Sequence, residues 1–392
     1  MILLAWSAEW RSRMGIGMKR TGRNVGIGLF LAALYIVPVS FAVGTDRGFS
    51  ENENRYLEQK PELSAEAAVS GEYMKATEKY ISDQFPARDR WISAKSDFMR
   101  LTGAKEVNGV YLGEEGYLIE KWLPQEIDME QLEENIKALN TYAKMYPKQK
   151  ISVMLVPTAE AILHEKMPEN TPYTEQDKLI GFVENELLGM KWINIKTVLE
   201  KGAEEEVFYK TDHHWTTYGA FLAYGEWKKS RGEEVRKEQF EAETVSESFQ
   251  GSLYSKVLGS GCAEDTVELY RRKEEIPYTV SYQYGKDVCG SVYAMENLGK
   301  KDKYQVFLNG NHPELTIRSQ NRNGKHLLVF KDSFANAWIP FAVNDFESIH
   351  VIDPRYFNGN IEEYIVENGI TESLFLYNIK NFCEDKRLAK LF

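Results

Sequence analysis

Cysteine is scarce in this chain, and its spacing does not fit the common zinc-binding patterns. The 392 residues contain three cysteines, Cys262, Cys289 and Cys383. No pair of them has the short spacing of a metal-ligand motif. A disulfide between Cys262 and Cys289 is compatible with an oxidising compartment, and free buried thiols are the alternative. Neither outcome bears on the chemistry that the other residues predict.

Positive charge is scarce outside the amino-terminal segment. The formal net charge is -11, although residues 1–24 contain five basic residues and one acidic residue, a local balance of +4. The rest of the chain therefore carries -15. Proteins that bind nucleic acid concentrate Lys and Arg on one face. We therefore expect no nucleic-acid partner.

Nucleotide-binding and coenzyme A motifs are also absent, as are internal repeats and low-complexity tracts. We therefore predict no cofactor. The composition, 43% hydrophobic and 12% aromatic residues, is sufficient for a substantial core. One globular domain with an amino-terminal appendage is the simplest organisation.

Only one long apolar run occurs, VGIGLFLAALYIVPVSFAV at residues 25–43. It holds no charged side chain and approaches the ~20 residues that cross a bilayer as a helix. Because basic residues precede it and acidic chain follows, the pattern predicts a cytoplasmic segment 1–24, a single transmembrane anchor at 25–43 and an extracytoplasmic domain. The alternatives are a buried core helix and a secretory signal cleaved near Ser40 and Ala42.

Residues 44–106 are predicted to form a stalk and a helical lead-in. The stretch after the apolar run is polar and broken by Gly and Pro, as in a linker. Residues 65–102 are typical of helix, with Pro86 marking a break. An N-G and an E-G between apolar runs at residues 107–120 are a hairpin signature.

Residues 107–392 alternate short apolar runs with helical segments. The runs at 151–157, 326–330 and 373–379 are typical of buried parallel strands. Helical segments are predicted at 129–146, 173–189, 216–231, 335–344 and 360–368. This alternation predicts an α/β domain with a largely parallel sheet and helices on both faces. Residues 238–320 interrupt the alternation and are predicted to be a β-rich insertion.

The segment FYKTDHHWTTYGAF, residues 208–221, carries the most chemical information. In an extended chain Asp212 and His214 point the same way, and His213 points oppositely. Asp212 could then hold His214 through Nδ1 and leave Nε2 as a general base. A helix cap with structural histidines is one alternative. A metal site using both histidines is another, and it would need irregular backbone.

A nucleophile is predicted in HLLVFKDSFANAWIPF, residues 326–341. Ser333 follows an apolar strand and precedes a helix expected near Ala335, and such a turn exposes a side chain above the sheet. Its amide and the helix N-terminus can stabilise an oxyanion. Asp332 and Ser333 also fit a plain helix cap. The pairing with Asp212 and His214 favours the catalytic interpretation.

TDHHWT together with the later strand, Asp-Ser and helix resembles the DHHW protein family of Gram-positive bacteria. That family is related to the periplasmic SGNH-like O-acetylation proteins of alginate biosynthesis. The resemblance extends from SENENRYL at residue 50 to the carboxyl terminus and includes DQFPARD, VNGVYLG, GNHP and DPRY. The relatives carry D-x-H-W and G-D-S, so their acid, histidine and serine correspond to Asp212, His214 and Ser333. One departure is Lys331, where the alginate proteins have glycine.

The resemblance implies an SGNH-hydrolase-like α/β fold and further site residues. Gly310 and Asn311 in FLNGNHP are implied oxyanion donors, and a simple turn is the alternative. Arg355 and Tyr356 in DPRY follow the strand SIHVI, where Arg355 could hold a carboxylate or acyl oxygen unless it forms a surface ion pair. Asn336, in the first turn after Ser333, is a further candidate.

These expectations combine into a hypothesis of acyl transfer. Ser333, activated by His214 and Asp212, would accept an acetyl or similar group and pass it to a cell-surface polysaccharide. The resemblance implies a membrane-bound MBOAT-type acyltransferase as the donor partner. A plain esterase would use water as acceptor. A non-catalytic polysaccharide-binding or assembly factor is the alternative from another class.

Overall fold

The computed structural model describes residues 20–50, 52–53, 55–259 and 261–392. They divide into two compact units, the first with residues 20–50 and 55–91 and the second with residues 52–53, 92–259 and 261–392. Most of the predicted cytoplasmic segment 1–24 lies outside the described residues.

Residues 20–101 contain helices and a short hairpin, and the last helix continues from the first unit into the second. Strands β1 and β2 pair antiparallel. The strands are β1 Phe49–Ser50 and β2 Arg55–Tyr56. The helices are α1 Arg20–Val43, α2 Ala65–Ser70, α3 Glu72–Asp83 and α4 Arg88–Leu101. The predicted helix 65–102 is thus broken twice. Gly71 ends α2 with φ 79°, a conformation that favours glycine, and the second break contains Pro86, as predicted.

Helix α1 forms where the transmembrane anchor was predicted. It carries Arg20 and Arg23 in its first turns and Pro38 in its interior. Within the described part of the chain, no helix combines the length and the apolar character needed to cross a membrane. The anchor at 25–43 stays a prediction.

The second unit contains eight more strands in one mixed sheet, in the order β11-β10-β12-β14-β13-β15-β6-β7. Neighbours among β14, β13, β15, β6 and β7 are parallel, and β12, β10 and β11 add antiparallel at one edge. The strands are β6 Lys150–Val156, β7 Lys191–Trp192, β10 Tyr278–Tyr282, β11 Asp287–Cys289, β12 Glu314–Ser319, β13 His326–Lys331, β14 Ser348–Ile352 and β15 Glu372–Asn378. The predicted α/β fold with a largely parallel sheet is confirmed.

Two smaller sheets complete the β structure among the described residues of this unit. Asn108 and Gly109, both with positive φ, form the turn between β3 and β4, as the N-G signature predicted. Strands β8 and β9 form a separate antiparallel ribbon. The bounds are β3 Glu106–Val107, β4 Val110–Leu112, β5 Leu118–Glu120, β8 Phe240–Phe249 and β9 Asp265–Arg272. Residues 238–320 are β-rich as predicted, but β10, β11 and β12 continue the main sheet.

Helices cover both faces of the main sheet. They are α5 Met129–Met145, α6 Ala159–Ile162, α7 Gln176–Glu186, α8 Lys196–Lys201, α9 Thr217–Ser230, α10 Ser252–Val257, α11 Ala335–Ala342, α12 Ile361–Glu367 and α13 Ile379–Glu384. The central strands alternate between two apolar cores, because successive side chains of a strand point to opposite faces. In β13, Leu327 and Val329 join one core, and Leu328 and Phe330 join the other. Both faces are therefore buried, as a parallel sheet requires.

All three cysteines are free thiols. Cys262 is half-buried, Cys289 is exposed and Cys383 is buried. The structure thus favours the free-thiol alternative over a Cys262–Cys289 disulfide.

Candidate active site

Asp212, His214 and Ser333 form one continuous hydrogen-bond chain. His214 Nδ1 lies 2.6 Å from Asp212 Oδ1, and His214 Nε2 lies 2.7 Å from Ser333 Oγ. Because an ionised carboxylate only accepts hydrogen bonds, Nδ1 carries the proton and Nε2 accepts from the serine hydroxyl. The structure therefore brings together the three residues predicted as acid, base and nucleophile. His214 and Ser333 are 119 positions apart in the sequence.

The DHHW segment is a bent loop and not an extended strand. Its ends are held by the antiparallel bridge between Phe208 and Trp215, and Tyr209 N–H donates to His214 O at 3.2 Å. The bends between them bring the ring of His213 to 3.8 Å from the ring of His214. The prediction that His213 points to the opposite face is therefore wrong, because strand alternation does not apply to bent backbone.

Two residues that sequence reasoning missed hold this loop. The buried carboxylate of Asp265 accepts from Lys210 N–H at 2.7 Å and from Thr211 N–H at 2.8 Å. Burial raises the pKa of Asp265 to about 6. Gly251 lies so close to Asp212 that an added Cβ would be 2.3 Å from the Asp212 carboxylate. A larger residue at position 251 would displace the acid of the chain.

The strand-to-helix turn after β13 presents Ser333. Asp332 Oδ1 accepts from Phe334 N–H at 2.9 Å, and its Oδ2 accepts from Asn378 N–H at 2.8 Å and from Asn381 Nδ2 at 2.7 Å. Asp332 thus caps the turn and ties it to the end of β15. Neither Asp332 nor Ser333 is the N-cap of α11, which is Phe334 and has no side-chain cap hydrogen bond, and the Ser333 hydroxyl points to His214.

Two aromatic residues connect the histidine loop to the serine turn. Trp215 is fully buried and donates from Nε1 to Phe334 O at 2.9 Å. The ring of Tyr304 stacks on His214 at 3.8 Å, and its hydroxyl donates to Ser333 O at 3.1 Å. These two hydrogen bonds set the separation of His214 and Ser333. The motif indicated Trp215, but no local signal indicated Tyr304.

The electrostatics of the site suit a general base. Burial lowers the pKa of His214 to about 4; His213 adds to this shift and Asp212 opposes it. Burial raises the pKa of Asp212, but the two histidines and the hydrogen bond from Ser252 N–H outweigh it and leave the pKa well below its usual range. Near neutral pH the site thus holds a neutral imidazole against a carboxylate, as proton abstraction from a serine requires.

Asp212, His213 and His214 are close enough together to bind a metal ion, but their hydrogen bonds favour a different role. One ligand atom each from Asp212, His213 and His214 lie within 4.8 Å of one another. However, His214 uses both ring nitrogens for Asp212 and Ser333, and His213 Nδ1 lies 2.7 Å from Ser252 Oγ. An ion would have to displace these hydrogen bonds. The donor set therefore fits a hydrogen-bond chain better than a metal centre.

The predicted oxyanion donors differ in availability. Gly310 has φ 84°, and its N–H donates to Phe307 O at 3.1 Å, so this amide closes a turn. The turn alternative therefore describes Gly310 better. Asn311 is exposed, and its Oδ1 accepts from Lys331 Nζ at 2.6 Å and from Asn336 Nδ2 at 3.1 Å. Asn336 Oδ1 also accepts a hydrogen bond from Lys331 Nζ, at 2.9 Å.

Arg355 and Tyr356 follow the carboxyl end of β14. Arg355 makes a two-pronged ion pair with Asp353, with Nε and Nη2 at 2.8 and 2.6 Å from its carboxylate oxygens. Arg355 therefore forms the ion pair that was the alternative to a substrate-binding role, and this pair occupies two of its guanidinium nitrogens. Tyr356 is 47% exposed, and the Arg355 guanidinium lies 5.4 Å from its ring centroid. The structure thus connects Arg355 to Lys331 through Asp353, which lies 3.4 Å from Lys331 Nζ, and not directly to Ser333.

A second serine–histidine–carboxylate grouping lies inside the same sheet. Ser348 Oγ lies 2.9 Å from His350 Nε2, and His350 Nδ1 lies 3.0 Å from Tyr364 Oη. Tyr364 donates in turn to Glu314 Oε1 at 2.9 Å. Ser348 Oγ also lies 2.8 Å from His326 Nδ1. Sequence spacing gave no reason to choose this grouping as the site.

The match to a protein family includes Asp212, His214 and Ser333. The family described as "DHHW protein" matches residues 126–352, more than half of the sequence. The chain belongs to the DHHW protein family. The resemblance predicted from TDHHWT and the Asp-Ser turn is therefore confirmed.

Solved structures show the same fold for this DHHW chain. A DHHW family protein from Eubacterium siraeum is 24% identical and matches with TM-score 0.61 over 72% of this chain and 95% of that one. Bacillus cereus PatB1 with a sulfonyl adduct is 21% identical, with TM-score 0.62 over 73% of this chain and 99% of that one. The O-acetyltransferase domain of Pseudomonas putida AlgJ is a weaker likeness, with 13% identity and TM-score 0.44 over 72% of this chain and 95% of that one. No curated protein sequence matches the chain.

Proposed function

We propose that this chain is a serine acyltransferase that moves an acetyl or similar acyl group onto hydroxyls of a cell-surface polysaccharide. One observation carries the proposal: the hydrogen-bond chain from Asp212 through His214 to Ser333, with links of 2.6 and 2.7 Å. A neutral histidine between a carboxylate and a serine hydroxyl is the arrangement that activates serine for attack on an ester.

The reaction proceeds in two transfers at the same serine. Ser333 Oγ attacks the acyl carbonyl while His214 Nε2 takes the hydroxyl proton, and the donor's alcohol leaves with that proton. The acyl-Ser333 ester is then attacked by an acceptor hydroxyl, whose proton passes to His214 and on to Ser333 Oγ. Asp212 stabilises the imidazolium that forms in each half-reaction. No redox partner or metal is required for this balance.

The reactivity of Ser333 has support in a relative of the same fold. The structure of PatB1 carries a sulfonyl adduct. Sulfonyl reagents modify hydroxyls that a neighbouring base activates. We propose that Ser333 reacts in the same way.

The donor, the acceptor and the location of the reaction are further parts of the proposal. A membrane-bound acyltransferase of MBOAT type would supply the acyl group outside the cytoplasm, and the polysaccharide hydroxyl would receive it. Their support is the resemblance of the D-H-H-W and Asp-Ser segments to the alginate O-acetylation proteins, together with the basic residues that precede the uncharged run 25–43.

The test compares purified wild-type chain with Ser333→Ala and Ser348→Ala, using a chromogenic acetyl ester as donor and an oligosaccharide as acceptor. We expect wild type and Ser348→Ala to release the chromophore and acetylate the sugar, and Ser333→Ala to do neither. Hydrolysis without sugar acetylation would identify an esterase. Sugar binding without any turnover would identify a binding factor, and equal turnover by Ser333→Ala would overturn the catalytic proposal.

A further inference from the structure

A buried lysine stands two positions before the nucleophile. Lys331 is 1% exposed, and its ammonium group lies 2.6 Å from Asn311 Oδ1, 2.9 Å from Asn336 Oδ1 and 3.4 Å from Asp353 Oδ2. These three oxygens match the three donors of an ammonium group. Because burying a charged group is costly, such a lysine persists where its hydrogen bonds are satisfied.

Lys331 fixes the orientation of the Asn311 side-chain amide directly and through Asn336, whose Oδ1 it also holds. Asn311 Oδ1 accepts from both Lys331 Nζ and Asn336 Nδ2, the latter at 3.1 Å. Since oxygen and nitrogen lie on opposite sides of a planar amide, Asn311 Nδ2 must point away from both. Among the described residues Nδ2 has no hydrogen-bond acceptor, although the side chain is exposed. It is therefore an outward-facing donor.

The loop that carries this donor is tied to the serine turn through Asn336. Asn336 belongs to the first turn of α11, and its N–H donates to Ser333 O at 3.2 Å. Asn336 Nδ2 also lies 3.3 Å from Gly310 O, which ties the Gly310–Asn311 turn to the same helix start. The loop that carries Asn311 and the turn that carries Ser333 are thus fixed to one another through two polar side chains.

We propose that Lys331 is a positioning residue that holds Asn311 Oδ1 and thereby turns Asn311 Nδ2 into an oxyanion donor for chemistry at Ser333. This inference rests on the proposed acyl transfer. It also gives a role to the lysine that replaces glycine in the related proteins: the ammonium group holds Asn311 Oδ1 and Asn336 Oδ1 together, and without it both amides can flip and exchange donor and acceptor.

A purely structural role for Lys331 predicts different results. If the lysine only stabilises the fold, its removal lowers stability and leaves turnover by the folded protein unchanged. Asp353 keeps its two-pronged ion pair with Arg355 when Lys331 is replaced. The substitution therefore does not leave that carboxylate unpaired, and Lys331→Met remains a usable variant.

The experiment is a double-mutant cycle with Lys331→Met and Asn311→Ala on acetyl-ester turnover. Loss of one oxyanion donor lowers kcat by about 10²- to 10³-fold. We expect each single variant to lose about 10²-fold in kcat with KM changed less than about 3-fold. Because Lys331 acts through Asn311, the double variant should be no slower than Asn311→Ala. Additive losses, or full kcat in Lys331→Met, would overturn the inference.

Lys228→Met is the matched control. Lys228 is also buried, at 6% exposure, and it binds Asp345 at 2.9 Å and also Glu233. Its replacement should reduce stability and leave kcat within about 3-fold of wild type, with losses that add to those of Asn311→Ala. A drop in kcat equal to that of Lys331→Met would show that loss of any buried lysine slows the enzyme.

A second readout needs no turnover and separates this inference from the proposed function. NMR contacts between the Asn311 side-chain protons and their neighbours report the amide orientation directly. We expect one orientation in wild type, with Nδ2 directed away from Lys331, and two interconverting orientations in Lys331→Met. A single unchanged orientation in Lys331→Met would overturn the role of Lys331 even in an active enzyme. Inactive wild type with the expected orientations would instead remove the acyl-transfer proposal.

Discussion

The described residues contain two serine–histidine–carboxylate groupings, one above the carboxyl end of β13 and one within the main sheet, and only the first has the arrangement of a catalytic site. In the first, Asp212 contacts His214 directly, and Ser333 follows the carboxyl end of β13. In the second, His350 reaches Glu314 only through the Tyr364 phenol, and Ser348 begins β14. The two serines therefore lie at opposite ends of adjacent parallel strands.

The surroundings of the two hydroxyls also differ. Ser348 Oγ lies within hydrogen-bond distance of a ring nitrogen on each of two histidines, His350 and His326, and is 2% exposed. Ser333 Oγ contacts a single histidine, His214, and Phe334 beside it lines a small cleft together with His213. Residue types alone therefore do not define a catalytic chain. The first grouping differs in the direct contact between carboxylate and histidine and in the position of its serine after the carboxyl end of a central strand.

The largest expected effect distinguishes the two histidines. His214→Ala should lower acetyl-ester turnover by about 10⁴- to 10⁶-fold, because it removes the base. His350→Ala should instead reduce the free energy of unfolding by about 2–4 kcal/mol, since it leaves buried polar partners and a cavity. Turnover and thermal unfolding of both purified variants check this. Equal losses of turnover in the two folded variants would contradict the claim that His214 is the base and His350 is structural.

The next effect concerns the two acids. Asp212→Asn should lower kcat by about 10³- to 10⁴-fold, because an amide can donate to His214 Nδ1 and stabilise the wrong tautomer. Glu314→Gln should keep kcat within about 3-fold, because Glu314 has no direct contact with a catalytic residue. Steady-state kinetics of the two amide variants measure the contrast. A Glu314→Gln enzyme as slow as Asp212→Asn would contradict it.

The pH dependence gives a third contrast. The pKa of His214 is lowered to about 4, so the base is neutral above that pH and becomes an imidazolium, unable to accept the serine proton, below it. We expect kcat/KM to fall on the acid side with a midpoint near pH 4, well below the 6.5 of a free histidine. Profiles over the pH range in which the protein stays folded test this. A midpoint near 6.5 would contradict the lowered pKa of His214 and mean that Asp212 offsets the effect of burial.

The smallest effect concerns the tryptophan of the motif. Trp215→Phe removes the hydrogen bond from Nε1 to Phe334 O, and we expect a loss of about 1–3 kcal/mol in unfolding free energy and about 10-fold in kcat. Trp122→Phe is the control, because Trp122 is equally buried but its Nε1 has no hydrogen-bond partner among the described residues. Chemical denaturation and kinetics should show a smaller stability loss and unchanged kcat for Trp122→Phe.

The sequence predicted the parts of the site that depend on local pattern. Strand β13 followed by Asp-Ser and a helix identifies Ser333, and the spacing of Asp212 and His214 identifies their pairing. Tyr304 and Asp265 were missed because their roles arise from contacts with residues far away in the chain. His213 was misplaced because the loop is bent, and strand alternation assumes extended backbone.

In the main sheet too, features that depend on local sequence were predicted, and pairings between distant segments were not. Strands β6, β13 and β15 were predicted within one residue at each end because their apolar runs are continuous. The pairing of β12 with β14 could not be predicted, because the intervening chain contains β13 and gives no register signal. That pairing extends the main sheet into the β-rich segment.

The most direct test of the central claim is the site at which a sulfonyl fluoride reacts. Attack by an activated serine forms an Oγ–S bond and releases fluoride, with the proton taken up by His214. Peptide mapping of the modified protein by mass spectrometry should find the sulfonyl group on Ser333 in wild type, and none on Ser333 in His214→Ala or on Ser348 in either protein. Modification of Ser333 at an unchanged rate in His214→Ala would contradict the claim that His214 activates this serine.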